Sequence, residues 1–336
     1  MKRKYFTAAI LICAGLLSLY MREAEEFTRT GQAMNTIIRM TIYGHDERVL
    51  DDAFTLLNEL DATLSMYNPS SDISRINATG SMNVQPATVE AVNASVRLHA
   101  LTAGVFNPLI GAVTELWKIN RKEGSVPTPE SLDYAVKLAN ISNLTISGDN
   151  ISLRHEGCVL DLGGIAKGYA SVKIAELLRD KGIKSAIIDL GGNVYAVGAK
   201  DDGSKWRIGI RNPLDPYGMP AVVVDVADSA VITSGNYERF KTIDGKKYSH
   251  FFDPSTGNSV MSDLLSVTVI TSDGSLADGL ATAFMITGVE RAFELLKGIE
   301  PAPGVLFITQ SGITATSNLR GIITKSAGTV NFRDIM

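Results

Sequence analysis

Asp278 and Thr282 stand four residues apart in a segment whose spacing predicts a helix over 275–287. Their oxygens would therefore project from one face, about one turn apart. A carboxylate and a hydroxyl in that relation suit a hard cation such as Mg2+, which takes oxygen ligands and leaves positions for phosphate or water. The plainer alternative is a solvated aspartate and a threonine bonded to its own helix. The flanks, A-D-G-L-A-T-A, are small and apolar. They predict a buried face, and a buried aspartate needs a partner.

A second stretch, 161–170, reads D-L-G-G-I-A-K-G-Y-A. It follows the apolar residues Cys158, Val159 and Leu160 and runs into a helical pattern over 171–180. The layout is strand, glycine-rich turn, helix. Such a turn lets backbone N–H groups approach an anion, to which the helix adds its positive end and Lys167 a point charge. The alternative is a tight connection with Lys167 in solvent. His250 precedes Phe251 and Phe252 in a strand-to-turn segment and is a candidate base, its ordinary pKa lying near neutral pH. Phe251, Phe252 and Tyr67 offer faces for planar rings, or pack the core.

These residues need a scaffold. The segments 34–43, 206–210, 221–226, 229–233 and 265–271 read as strands, as does 185–192, which ends in a second D-L-G-G. That recurrence suggests two strands ending on one rim. Helical periodicity marks 46–66, 88–104, 275–287 and 290–296, while 67–77 reads as a polar loop. Hairpin signals fall at 148–150 and at Asp244-Gly245. Interleaved helices and antiparallel hairpins predict an α+β fold with mixed, largely antiparallel sheets and packed helices.

The 336 residues carry 32 Lys and Arg against 36 Asp and Glu, a formal net charge of −4, which argues against general nucleic-acid binding. The two cysteines, Cys13 and Cys158, predict no disulfide, and no C-x-x-C spacing suggests zinc. Lys2-Arg3-Lys4 precedes the seventeen uncharged residues 5–21, the pattern of a signal peptide or uncleaved signal anchor. Without a small-x-small site near its end, the anchor is favoured. The expected organisation is a signal or anchor over 1–21, a short polar stalk over 22–33, and one domain over 34–336.

Taken together, the stretch at 161–170, T-S-G-N-Y-E-R at 233–239, H-F-F-D-P-S-T-G at 250–257 and the A-D-G-L-A-T-A helix resemble the ApbE family of FAD:protein FMN transferases. M-Y-N-P-S-S-D-I-S-R-I-N and G-V-F-N-P-L-I-G match earlier segments of the family. The resemblance implies Mg2+-dependent transfer of FMN from FAD to a threonine or serine hydroxyl of an acceptor flavoprotein, through a phosphoester bond, with release of AMP. It implies metal ligation by Asp278, Thr282 and an oxygen of Gly164, and activation of the acceptor by His250. Met34, Tyr67, Val105, Phe106, Asn107, Asp161, Lys167 and Ser275 match positions lining the FAD site, and Phe251 and Phe252 fall where the family has isoleucines. Asn107 stands where aspartate is common. The implied acceptor is an exported flavoprotein or a subunit of an ion-translocating redox complex, met at the extracytoplasmic face of a bacterial inner membrane. Rival readings are an FAD pyrophosphatase yielding FMN and AMP, and a flavin-binding envelope protein without turnover.

Overall fold

The computed structural model describes residues 24–119, 125–237 and 240–335. Among them nine strands form the main sheet, in the same order in space as along the chain. They are β1 (Glu25–Ala33), β2 (Thr36–Gly44), β3 (Ser185–Leu190), β4 (Asn193–Val197), β5 (Ser229–Gly235), β6 (Leu264–Thr271), β7 (Gly304–Thr309), β8 (Ile313–Thr316) and β9 (Val330–Arg333). Neighbours are antiparallel except β8 and β9, which run parallel. Six helices lie between β2 and β3: α1 (Val49–Leu64), α2 (Asp72–Thr79), α3 (Pro86–Leu101), α4 (Gly111–Trp117), α5 (Pro129–Leu138) and α6 (Ala166–Asp180). A seventh, α7 (Gly274–Leu296), joins β6 to β7. The α+β expectation holds.

Alternation along the central strands buries both faces of the sheet. On β7, Val305 and Phe307 join the large core with the helices, while Leu306 and Ile308 join a second cluster. That second core is completed by Trp206, Val222 and Val224 of a three-stranded sheet made of Trp206–Ile210, Val222–Val226 and Ile323–Ser326.

The segment expected as a stalk is instead, from Glu25 onward, the edge strand β1, paired with β2 along its whole length. Its outward residues are exposed, so its sequence looks polar; backbone pairing and a few inward contacts hold it. Gly31 is one of these contacts, since a Cβ there would lie 2.6 Å from the Phe54 ring of α1. The hairpin closes through Met34 and Asn35, both left-handed (φ 49° and 57°), as a two-residue type I′ turn requires. The segment 1–21 lies outside the described residues, and among those described no helix is long and apolar enough to cross a membrane.

One other expectation changes. The polar loop over 67–77 contains α2, whose start is capped by Ser71 Oγ accepting from the Ser74 N–H at 2.9 Å, and which ends at left-handed Gly80. The two helices expected over 275–287 and 290–296 are both present, as the two halves of α7, which Gly288 separates with a backbone (φ 75°, ψ 179°) that is not helical.

Candidate active site

The close crossing of α6 and α7 builds the site. Gly168, in the first turn of α6, has no room for a side chain: a Cβ would lie 2.1 Å from the Gly274 carbonyl oxygen and 2.7 Å from Asp278 Cβ. This contact brings Asp278 to the start of α6, where its Oδ2 accepts the Gly168 N–H at 2.9 Å. The carboxylate thus satisfies one of the orphan donors of the α6 N-terminus and meets its positive dipole end. Asp278 Oδ1 accepts from the Asn193 Nδ2 amide at 3.0 Å, and the Lys167 ammonium lies 3.9 Å away. The aspartate, 3% exposed, is therefore the partnered buried acid that its apolar flanks predict.

One cavity of about 290 Å3, near the lower end of small-molecule sites (~300–1,000 Å3), collects nearly every residue singled out from the sequence. Asp161, Gly164 and Lys167 line it from the glycine-rich turn, Asp278 and Thr282 from α7, and His250, Phe251 and Phe252 from the segment before β6. Met34, Tyr67, Val105, Phe106 and Asn107 complete the expected set. Ser275 does not line the cavity; it is buried in the first turn of α7, ahead of Asp278. The two D-L-G-G stretches do share a rim, since Gly163 and Gly164 of one and Gly191 of the other line the same cavity. Only the second ends a strand; the lead-in to the first makes just an isolated bridge, Val159 with Ile110.

The donor set at the α6–α7 crossing fits a hard cation. Each Asp278 oxygen accepts one hydrogen bond from the protein and keeps acceptor capacity, since a carboxylate offers about four lone-pair sites. The Gly164 backbone comes so near Thr282 that a Cβ at 164 would lie 3.4 Å from its hydroxyl oxygen, and 3.1 Å from the Phe106 ring. Glycine thus keeps open the space beside that hydroxyl. Among the described residues no cluster of three His, Cys, Asp or Glu side chains is disposed around a metal position. One carboxylate with neutral oxygens would suit Mg2+ that also draws ligands from a phosphate-bearing substrate.

The rings have separate duties. Phe252 stacks on Trp117 (centroids 5.8 Å apart, 27° between planes), and Trp117 donates from Nε1 to the Gly257 carbonyl at 2.8 Å. Phe251 packs against the His250 ring at 4.1 Å. Both phenylalanines are buried, so core packing claims much of each, while Tyr67 stands 54% exposed and lines the cavity.

Several contributing residues escaped sequence reasoning. Asn193 gave no signal beyond following the second D-L-G-G. Asp61 accepts the Met34 N–H at 2.8 Å and so ties the β1–β2 turn to the cavity wall. His99 of α3 donates from Nδ1 to the Phe106 carbonyl oxygen at 3.0 Å and holds the wall segment 105–107; burial lowers its pKa, against the opposing effect of that hydrogen bond. Asn107 is itself tied down, its Nδ2 donating to the Ala139 carbonyl at 2.7 Å and its Oδ1 accepting from the Leu109 N–H at 2.9 Å.

Known proteins share this architecture. The profile of the ApbE family matches residues 34–306. A FAD:protein FMN transferase of Treponema pallidum (strain Nichols) is 32% identical over 90% of this chain and 91% of its own length. One from Vibrio cholerae serotype O1 (strain ATCC 39541 / Classical Ogawa 395 / O395) is 29% identical over 95% and 98%. Among solved structures, the flavin transferase ApbE from Vibrio cholerae superposes with a TM-score of 0.79 at 30% identity, covering 89% of this chain and 99% of that one. Pseudomonas stutzeri flavinyl transferase ApbE in its apo form gives 0.81 at 28% identity, over 92% and 99%. With the profile spanning most of the chain and the fold shared nearly end to end, this protein belongs to the ApbE family.

Proposed function

We propose that this chain is a Mg2+-dependent FAD:protein FMN transferase, which moves the FMN half of FAD onto a threonine or serine hydroxyl of an acceptor protein and releases AMP. The observation that carries the reading is the buried, triply contacted Asp278 on the wall of the cavity that also exposes Lys167, Thr282 and His250. Family membership and the names of the relatives support it.

In the reaction, the acceptor hydroxyl oxygen attacks the phosphorus of the FMN half. The bond from that phosphorus to the bridging oxygen breaks, AMP leaves with the bridging oxygen, and the hydroxyl proton passes to a ring nitrogen of His250. Asp278, the Thr282 hydroxyl and an oxygen of Gly164 would hold Mg2+, which when bound supplies charge neutralisation at the pyrophosphate. Lys167 adds a second positive charge for the phosphates, and Tyr67 and Phe106 offer faces to the substrate rings. Met34, Val105, Asn107 and Asp161 shape the pocket around them, with Ser275 acting through the start of α7. The reading places the enzyme at the extracytoplasmic face of a bacterial inner membrane, held there by residues 1–21.

Intact-mass measurement of an acceptor flavoprotein incubated with the full-length protein, FAD and Mg2+ tests the proposal, with Asp278→Ala as control. An added FMN mass that vanishes in the control is the expected result. Free FMN and AMP with an unmodified acceptor would make the protein a pyrophosphatase, and intact FAD would make it a binder.

A further inference from the structure

The chain leaves the cavity wall at Gly235 and returns to it at His250, both of which line the cavity. Between them lies a separate two-stranded ribbon, Phe240–Ile243 paired with Lys246–Ser249, closed by the Asp244-Gly245 turn. It belongs to none of the other sheets. None of its residues lines the cavity. Its side chains are therefore not spent on the small-molecule pocket, although both its ends are rooted there.

The ribbon carries three lysines and one aspartate in a protein of net charge −4. Lys246 and Lys247 are exposed. Their ammonium groups lie over the Tyr248 ring (5.4 Å) and the Phe240 ring (4.6 Å). A ring holds a cation in place yet leaves its outward hydrogens for another acceptor. Phe240 is 47% exposed, and Met261, shortly after the return to the wall, 52%. A two-stranded ribbon also has strand edges able to pair with an extended chain.

We infer that this ribbon is the docking element for the acceptor protein, and that it takes an extended segment with acidic residues near the hydroxyl to be modified. The inference rests on the transferase reading and deepens it by naming the partner's chemistry. Backbone pairing along the ribbon supplies affinity independent of sequence, while Lys246 and Lys247 select for negative charge. Ser249, whose carbonyl already accepts from the Ser259 hydroxyl, runs directly into His250, so a segment paired along Phe240–Ile243, where Phe240 lies opposite Ser249, is led to the cavity mouth.

The test uses the full-length protein and two labelled threonine peptides, identical except that the residues flanking the threonine are aspartates in one and lysines in the other. Fluorescence anisotropy should show the acidic peptide binding about three- to tenfold more tightly at low salt, a margin that shrinks as salt is added. The double variant Lys246→Glu, Lys247→Glu should reverse that order while leaving FAD affinity unchanged. An unchanged order in the variant, no binding of either peptide by the wild type, or a loss of FAD affinity would each overturn the assignment. If the peptides bind in the expected order but an acceptor flavoprotein incubated with FAD and Mg2+ stays unmodified, the ribbon binds acidic segments while the transferase reading fails, and with it the ribbon's assignment to the acceptor.

Discussion

The Gly168 N–H and the Asp278 carboxylate, 2.9 Å apart, join the first turn of α6 to α7 across 110 residues of chain. The bond exists because neither Gly168 nor Gly274 has a side chain at the crossing; a Cβ at 274 would lie 2.7 Å from the Gly168 carbonyl oxygen. The same bond orients the acid proposed to hold the metal.

Gly168→Ala should therefore be severe. Alanine would favour the helix by about 1 kcal/mol over glycine. The added Cβ, however, meets backbone at 2.1 Å, so the helices must separate, at a cost of about 1–3 kcal/mol. The expected net result is a lower denaturant midpoint, together with transferase activity reduced by more than the lost folded fraction explains.

Asn193→Ala removes the amide that donates to Asp278 Oδ1. Leaving a buried carboxylate oxygen short of a partner costs about 1–3 kcal/mol. Added Mg2+ should restore part of that stability in the variant, more than it stabilises the wild type. Thermal melts with and without Mg2+ would show no such difference if the amide played only a distant structural part.

Asn107→Asp brings in the residue common in the family. Here it would replace the Nδ2 donor with a carboxylate oxygen facing the Ala139 carbonyl. We expect a loss of about 1–3 kcal/mol in urea unfolding near neutral pH, from the broken bond and the repulsion that takes its place. An unchanged midpoint would show that the wall segment rearranges to suit the acid.

His99 predicts an acid-side loss of stability. Its folded-state pKa lies below the ordinary 6.5, chiefly through burial. As the pH falls through 6.5 the unfolded chain takes up the proton first, so stability declines until the folded-state pKa is passed, and that contribution then levels off. His99→Asn cannot titrate and carries an amide donor for the Phe106 carbonyl. Its urea midpoint should fall less than that of wild type between about pH 7.5 and about pH 5.5.

Local pattern was enough to reveal much of this protein. Periodicity located α1, α3 and α6, turn chemistry the hairpins at 148–150 and Asp244-Gly245, and the i,i+4 spacing the shared face of Asp278 and Thr282. These features depend on residues within a few positions of one another, so a linear reading captures them. Edge strand β1 was misjudged because its stability comes from a backbone ladder that any side chains permit, and α2 because its cap and turn residues resemble a loop. The partners of the central acid were decided only by tertiary structure. Asn193 reaches Asp278 from 85 residues away, and Gly168 from 110, through a crossing that the absence of two side chains allows. Sequence showed that Asp278 required partners, because burying a carboxylate without them is costly. Which groups met it depended on how the helices packed.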